Sequence, residues 1–589
     1  MAKQPRIKRL TIARFRGIET LDWCPDGAIN LLIGGGDSGK STVLQAIALL
    51  LSPTNSVQVL ETDYFNRATA DGFSIEAVVE IPAEVGIADF QQALWPWDWD
   101  GKAAVLPDPN AENEPANPVF RFRIRGTDEL ELIWEVVQPN EDVVTLSVGL
   151  RRKIGVVRLA NDDRNDRDLR LVTGSALDRL LSRGNLKSRI NKHVSEANLS
   201  TALLKEEKDA LAGLSATLKQ AGLPHDLDLG LTSSQGLSIG ALIGLLADRD
   251  GVMLPLASWG AGTRRMSALE VAGATEAATR LTVIDEIERG LEPYRLRQLI
   301  AKLLKDGNQC FVTTHSPVAI AAATDAALWF MDAKGKIGAL PRSKILQQQR
   351  RDPETFLAKL PIIAEGLTEV GFLQFLLRNA FVAAPEDHGI RVCDGGGNDA
   401  MLGLLVALRD AGLLLGAFCD DEGTAAGRWK GISQALGPRF FQWRIGCLEE
   451  NIIAHVKDAD LLSLAYEPDG AGGRRLRTLA DRLGGLPAKD EASILAACGP
   501  LEQRFTKLRA IIVAAATGDK EGAPDEQTGK DWAKHSQLWF KSLQGGRELA
   551  SRMVELGVWP KLEQELLPFV NALRGTLGQP PLKQGALKL

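Results

Sequence analysis

Gly34-Gly35-Gly36-Asp37-Ser38-Gly39-Lys40-Ser41-Thr42 follows the apolar run Ile29, Leu31, Leu32, Ile33 and precedes a second apolar stretch of good helix formers, Val43 through Leu51. The order strand, glycine loop, helix is the one a P-loop requires. Glycines let successive backbone N–H groups curl around a phosphate at a helix N-terminus, where the helix dipole favours negative charge. In that reading Lys40 reaches the β and γ phosphates of ATP and Ser41 takes Mg²⁺, with Gly34, Gly36, Asp37, Ser38, Gly39 and Thr42 completing the cradle.

The other half of such a site is an apolar strand ending in acid. Leu281-Thr282-Val283-Ile284-Asp285-Glu286 provides it. Asp285 is expected to hold Mg²⁺ through water, and Glu286 to orient and polarise the attacking water. Downstream, Phe311-Val312-Thr313-Thr314-His315-Ser316-Pro317 reads as a short strand delivering a histidine to the γ-phosphate. Upstream, Ser258-Trp259-Gly260-Ala261-Gly262 reads as a signature-like loop, with Ser258 and Gly260 as nucleotide contacts.

With Glu288, Leu291 and Pro293 after Glu286, this series resembles the ABC-type ATPases of the RecF and SMC kind. The resemblance implies that His315 is the switch histidine. It also implies that the signature loop of one subunit completes the nucleotide site of another, hence a homo-oligomer, at least a dimer. Gly36 stands where that family commonly has asparagine, and the signature is degenerate.

Between these motifs the pattern predicts strands at 73–81, 120–125, 130–137 and 143–150, spaced as an antiparallel meander. Residues 95–118, rich in Pro, Asn and Asp, read as an exposed loop. From 175 to 222 the pattern turns helical, with Leu204, Leu211 and Leu218 seven apart and Leu214 on the same face. That face has two readings, packing on its own ATPase core or a dimer contact. Residues 342–361 read as a connection.

In the last third, Leu360-Pro361-Ile362-Ile363-Ala364-Glu365 places an acid at the end of an apolar strand, and Glu369 begins the next helix. Leu413-Leu414-Leu415-Gly416-Ala417-Phe418-Cys419 is another buried run, ending in Asp420-Asp421-Glu422. Alternate residues of an extended chain share a face, so Asp420 and Glu422 are expected to point together. Carboxylates gathered without histidine are hard oxygen ligands suited to Mg²⁺ or Mn²⁺.

These residues resemble the Toprim domain, whose acidic pair is usually Asp-x-Asp where this chain has Asp-x-Glu. An ABC-type ATPase followed by Toprim is the layout of the OLD (overcoming lysogenization defect) family nucleases, and the resemblance runs along nearly the whole chain. It implies a further acid, Glu449, and a late helical lysine, Lys541, with Lys530 and Lys534 as rivals. Two divalent metals, Mg²⁺ or Mn²⁺, would lie on Glu365, Glu369, Asp420, Glu422 and Glu449, with Glu365, Asp420, Glu422 and Lys541 catalytic. The implied activity is ATP-regulated DNA endonuclease, in phage defence or DNA repair, with a possible helicase partner. Asp394-Gly395-Gly396-Gly397-Asn398-Asp399 reads either as part of that site or as a flexible turn.

The expected architecture is therefore α/β. Residues 1–160 form the first part of the ATPase, 161–245 a helical insert and candidate dimerisation domain, 246–350 the second part of the ATPase, and 351–589 a Toprim domain with helical additions. A chain of 589 residues exceeds one hydrophobic core. The net charge of -6 excludes DNA binding by bulk electrostatics and leaves local basic groups as candidates: Arg151, Arg152 and Lys153; Arg342 and Lys344; Arg350 and Arg351; Arg474, Arg475 and Arg477. The six cysteines are dispersed, which fits a reducing cytoplasm, and no apolar stretch is long enough for a membrane span. A topoisomerase would need a placed tyrosine nucleophile, and none of Tyr64, Tyr294 and Tyr466 sits in such a setting. A primase would need zinc chemistry or a polymerising region. The competing reading is an ATP-gated, clamp-like DNA-binding ATPase without intrinsic nuclease activity.

Overall fold

The computed structural model describes residues 4–82, 94–108, 115, 117–159, 167–172, 175–181, 186, 203–231, 243–274, 281–420, 426–467 and 473–587. The chain forms two compact units, Met1–Arg342 and Ser343–Leu589. No helix among the described residues is long and apolar enough to cross a membrane.

In the first unit the strands are β1 (Arg6–Phe15), β2 (Ile18–Trp23), β3 (Ile29–Gly34), β4 (Phe73–Glu80), β5 (Trp97–Trp99), β6 (Ala104–Val105), β7 (Pro118–Gly126), β8 (Leu132–Val137) and β9 (Val143–Thr145). They continue with β10 (Val156–Leu159), β11 (Asp228–Leu231), β12 (Ile243–Arg249), β13 (Val252–Pro255), β14 (Leu281–Ile284), β15 (Cys310–Thr313), β16 (Ala327–Met331) and β17 (Ile337–Leu340). One sheet runs β10-β14-β15-β3-β16-β17, parallel except for β17. Every residue of β3, β14 and β15 is buried, as expected of parallel strands covered on both faces.

A second sheet runs β2-β1-β4-β7-β5-β6, with β8 and β9 continuing from β7, and is antiparallel throughout. Its inner residues, among them Leu10, Ile12, Ile75, Ala77, Phe122 and Ile124, share a core with Val43, Ile47 and Leu50 of the helix Lys40–Leu50. The P-loop helix is thus wedged between two sheets.

Four expectations differ from the structure. Within 95–118, β5 and β6 add to the β7 edge, and Trp97 is buried with its indole N–H donating to Val137 O at 2.8 Å. The run 143–150 is not one strand. It breaks after Thr145 because Ser147 Oγ accepts from Leu150 N at 3.2 Å and caps the helix Val148–Ile154.

Residues 342–361, expected as a connection, begin with the helix Arg342–Arg351, whose Ile345, Gln348 and Gln349 are buried. Nor is the insert wholly helical. Leu211, Leu214 and Leu218 line the buried face of the helix Lys205–Gln220, which packs on the helix Ala261–Gly273 of its own unit. Leu204 caps that helix and is exposed, and β11–β13 form a small sheet. Residues 182–185 and 187–202 of the insert lie outside the described residues.

The second unit is built on four parallel strands, β18 (Leu360–Ala364), β19 (Ile390–Asp394), β20 (Gly416–Cys419) and β21 (Phe440–Gln442), in the order β19-β18-β20-β21. The chain steps from β18 outward to β19, then returns to the opposite side of β18 to lay down β20. That reversal is a topological switch point, where open parallel sheets place ligands at the C-terminal strand ends. Glu365 and Asp420 are the residues that follow the two strands flanking it. Behind them Phe418 stacks on Phe441 at 4.8 Å, within a core that includes Phe372, Trp443 and Phe569.

Helices Leu367–Ala380 and Leu543–Glu555 cross in close contact. A β-carbon on Gly371 would lie 2.0 Å from Leu543 O, and one on Gly546 would lie 2.0 Å from Thr368 O, so only glycine permits the approach.

Candidate functional site

The P-loop leaves β3 through Gly34 at φ +150°, where a β-carbon would sit 2.3 Å from Met331 O. It passes Asp37 at φ 57° and Gly39 at φ 99°, both left-handed, before the helix Lys40–Leu50 starts. Ser38 Oγ donates to Gly35 O at 3.0 Å and closes the loop. Lys40 is 5% exposed, and its ammonium donates to Gly35 O at 2.6 Å and Gly34 O at 3.1 Å. Burial holds its pKa below the usual lysine value, against the pull of Asp285. An ammonium resting on two loop carbonyls at a helix N-terminus is placed where the helix dipole favours a phosphate.

Because β14 and β15 are neighbours, their C-terminal loops meet beside this cradle. Asp285 Oδ1 accepts from Ser41 Oγ at 3.0 Å and from Thr313 Oγ1 at 2.6 Å, which joins the two Mg²⁺ candidates. Thr313 Oγ1 accepts in turn from Glu286 N at 2.8 Å, and Glu286 sits at φ 48°, where the chain turns sharply out of the strand. Glu288 brackets the next loop: Thr314 Oγ1 donates to its Oε2 and His315 N to its Oε1, each at 2.6 Å. His315 itself is exposed.

Ser258 and Gly260 are exposed, and Ser258 Oγ donates to Pro255 O at 2.7 Å. The signature-like helix Ala261–Gly273 nevertheless reaches the acidic strand, because Arg265, almost fully buried, donates to Asp285 O. Burial pulls that guanidinium down to about 10. Gly262 abuts Gly290 O, 2.1 Å from where its β-carbon would be. Thr313 and Arg265 were missed in the sequence. The available signals were a threonine ending an otherwise apolar strand and a charged residue on a helix face with no surface.

In the second unit Glu365 is pinned by its backbone: its N–H donates to Phe418 O at 3.1 Å and its carbonyl accepts from Gly397 N at 2.9 Å. The glycine turn after β19 therefore shapes the site. Glu365 Oε2 accepts the backbone N–H of Asp420 at 3.0 Å, and Asp420 Oδ1 accepts that of Leu448 at 3.1 Å. Leu448 begins the helix Leu448–His455, so Glu449 is in its first turn. Asp420, Cys447 and Glu449 each offer a ligand atom within 4.8 Å of the others. Glu369, in the first turn of Leu367–Ala380, is 4% exposed, and Glu449 is fully buried with its Oε2 lacking a hydrogen-bond partner.

Lys541 Nζ lies 3.0 Å from Glu449 Oε1. It is not in a helix, as expected, but in the break between Glu526–Leu538 and Leu543–Glu555. Thr368 Oγ1, donating to Phe540 O at 3.1 Å, ties that break to the Glu369 turn. The rivals are set aside, since Lys530 pairs with Glu526 and Lys534 with Asp531 on the exposed face of their own helix. Glu422 lies outside the described residues.

Electrostatically the group is overloaded with negative charge. Burial, then the charges of Glu369, Glu365 and Glu449, push the Asp420 carboxyl up to about 9. Burial and Glu449 push Glu369 up to about 7. Against burial, which pulls it down, Glu449 and Glu369 raise Lys541 above the ordinary lysine value. Burial also drives the Cys447 thiol well above its usual range. Among the described residues four carboxylates face the Lys541 ammonium, and Glu449 Oε2 has no hydrogen-bond partner. Buried acids in that condition are complementary to cations.

The basic groups fare differently. Arg475 is 3% exposed, pairs with Glu548 at 2.6 Å and donates to Trp539 O at 3.1 Å, bracing the segment before Lys541. Arg151 is buried over Trp134, donates to Ser52 O at 2.6 Å, and is pulled down to about 10 by burial. Arg351 pairs with Asp394 at 2.9 Å, and Arg342 with Asp325 at 2.7 Å. Of the residues offered as DNA contacts, Arg151 and Arg475 are therefore structural.

A family model described as "AAA domain, putative AbiEii toxin, Type IV TA system" matches residues 116–321, which include Ser258, Asp285, Glu286 and His315. The first unit is an ATPase domain. In this domain the P-loop precedes the matched residues and is joined to them through the Ser41–Asp285 hydrogen bond. Among solved structures, the chain is similar to an Smc head bound to the C-winged helix domain of ScpA, with 14% identity and a TM-score of 0.36, over 58% of this chain and 99% of that one. It is similar to the recombination mediator protein RecF-ATPrS of the RecFOR pathway, at 12% identity and a TM-score of 0.36, over 58% and 99%. It is also similar to an SMC head domain from Thermotoga maritima, at 13% identity and a TM-score of 0.29, over 57% and 99%. No curated protein matches the sequence.

Proposed function

We propose that the chain is an ATP-regulated, divalent-metal-dependent DNA endonuclease, with the ATPase domain as regulator and the second unit as a Toprim nuclease. One observation carries this reading: Glu365, Glu369, Asp420, Glu449 and Lys541, dispersed in sequence, gather at the C-terminal ends of β18 and β20. Glu365, Asp420 and Glu449, with Glu369 beside them, would hold two divalent metals, Mg²⁺ or Mn²⁺, and Glu422 is assigned with them from its spacing to Asp420. Such ions supply Lewis-acid stabilisation of phosphoryl oxygens and a more acidic water.

The chain's own groups do the rest. Asp420 is fixed by the Leu448 N–H, and Glu365 by the Asp420 N–H, so the carboxylates are preorganised and need not reorder on binding. Lys541 brings a positive charge, which neutralises charge developing on a DNA phosphodiester. In the ATPase domain, Lys40 binds the phosphates, Ser41 and Asp285 take Mg²⁺, and Glu286 orients water. His315 contacts the γ-phosphate, and the loop at Ser258 and Gly260 completes the site of a second subunit in a homodimer or larger assembly. Phage defence or DNA repair, with a helicase partner, is the setting this reading favours.

The test is plasmid cleavage across Mg²⁺, Mn²⁺ and nucleotides. Cleavage abolished by Glu365→Ala and kept by Lys40→Ala supports an intrinsic nuclease under nucleotide control. DNA-stimulated ATPase activity with no cutting in any metal overturns it in favour of an ATP-gated clamp.

A further inference from the structure

Cys447 has no part in the reading above, yet its Sγ lies within 4.8 Å of ligand oxygens of both Asp420 and Glu449. A thiol in that position has an ordinary explanation, as a small apolar filler. Two observations argue otherwise. Glu449, in the same cluster, is fully buried; Lys541 pairs with its Oε1 at 3.0 Å, and its Oε2 has no hydrogen-bond partner. A carboxylate oxygen so placed lacks a partner that only a cation or a donor can supply. The cysteine is also held rigidly: it caps the helix Leu448–His455, with its N–H donating to Glu450 Oε2 at 2.8 Å and its carbonyl accepting from Asn451.

We propose that Cys447 is a ligand of the cation at Asp420 and Glu449, and that its sulfur biases this site toward borderline ions such as Co²⁺ and Zn²⁺ over Mg²⁺. The inference rests on the carboxylate group being a metal site. Its chemistry is ligand softness: Mg²⁺ demands a full oxygen shell, whereas a thiolate selects the later divalent metals. On binding, the metal–sulfur bond replaces the S–H bond and the proton passes to solvent. Asp420 and Glu449 contribute the two oxygens, and no other cysteine among the described residues lies in such a group.

The experiment titrates the full chain with Co²⁺ and reads the near-ultraviolet absorption, where a thiolate ligand gives a charge-transfer band that oxygen ligands do not. The wild type and Cys24→Ser, which alters an exposed thiol, are expected to develop the band, and Cys447→Ser to lack it. Cys447→Ser is also expected to bind Co²⁺ about tenfold more weakly relative to Mg²⁺ than the wild type does. Should that variant fail to fold, zinc-edge X-ray absorption of the wild type decides the matter through a sulfur neighbour at about 2.3 Å. Metal bound through oxygen alone, with cleavage intact, overturns the thiol ligand and leaves the nuclease standing. A cobalt–sulfur band without cleavage in any metal supports the ligand and removes the nuclease. Absence of band, sulfur neighbour and cleavage together overturns both.

Discussion

The backbone N–H of Asp420 donates to Glu365 Oε2 at 3.0 Å, so the acid after β20 holds the acid after β18 by its main chain. Replacing the Asp420 side chain therefore leaves that bond in place. Asp420→Asn is expected to abolish metal-dependent cleavage while ATP hydrolysis persists. It also removes a carboxyl that burial and three neighbouring acids disfavour as an anion. Above neutral pH the metal-free variant should melt higher than the wild type, by about 2–4 °C per kcal/mol of relief. Scanning calorimetry of both, with EDTA and with Mn²⁺, would measure this; a lower melting temperature for the metal-free variant would contradict it.

The raised carboxyls have a pH signature. Asp420 near 9 and Glu369 near 7 bind protons more tightly in the folded than in the unfolded chain. Stability falls with pH wherever the native state holds more protons. The metal-free protein should therefore lose stability as pH rises from the ordinary carboxylate range, through about 7 for Glu369 and about 9 for Asp420. Divalent metal competes with those protons, so the shift in melting temperature on adding Mn²⁺ should grow from pH 6 to pH 8. A shift that stays flat or shrinks counts against cation binding here.

Lys541 and Glu449 depend on each other. Lys541→Met leaves Glu449 buried without its cation, and cleavage should fall by about 10²-fold or more. Adding Glu449→Gln should recover melting temperature without recovering cleavage. A double variant no more stable than Lys541→Met would mean that the pair is not coupled.

In the ATPase domain, Lys40→Ala removes the ammonium held inside the loop, and Glu286→Gln keeps the fold of the acidic strand. Loss of nucleotide binding is expected for the first. For the second, binding should be retained with hydrolysis slowed about 10²-fold or more. Fluorescent-nucleotide titration beside a phosphate-release assay separates the two.

The crossing of Leu367–Ala380 with Leu543–Glu555 has no room for a methyl group. Gly546→Ala is expected to cost about 1–3 kcal/mol. Because Thr368 ties that crossing to Phe540, beside Lys541, cleavage should fall as well. Denaturant unfolding and the cleavage assay together check this.

The ATPase half was legible because its chemistry is packed into contiguous runs: Gly34 through Thr42, Leu281 through Glu286 and Phe311 through Pro317 each carry strand, turn and polar group in order. What escaped was whatever the tertiary structure decides. Trp97 joins a sheet edge because its indole finds Val137 O, a partner that local composition does not disclose. Arg475 read as surface charge, yet Glu548 and three backbone carbonyls neutralise it inside the fold. Cys447 looked isolated in the chain and became a neighbour of Asp420 only through the helix start at Leu448. Lys541 fell in a helix break because Trp539, at ψ −101°, ends the preceding helix where the residue pattern still reads as helical.

Glu288 grips Thr314 and His315 together, one through each carboxylate oxygen. Two loops that leave adjacent strands are in this way harnessed by a single side chain, and a tug on one is felt by the other. Whatever displaces the histidine backbone must also strain the turn that carries Glu286, so in the proposed ATPase cycle the two side chains assigned to the γ-phosphate and to the attacking water swing as one lever rather than two.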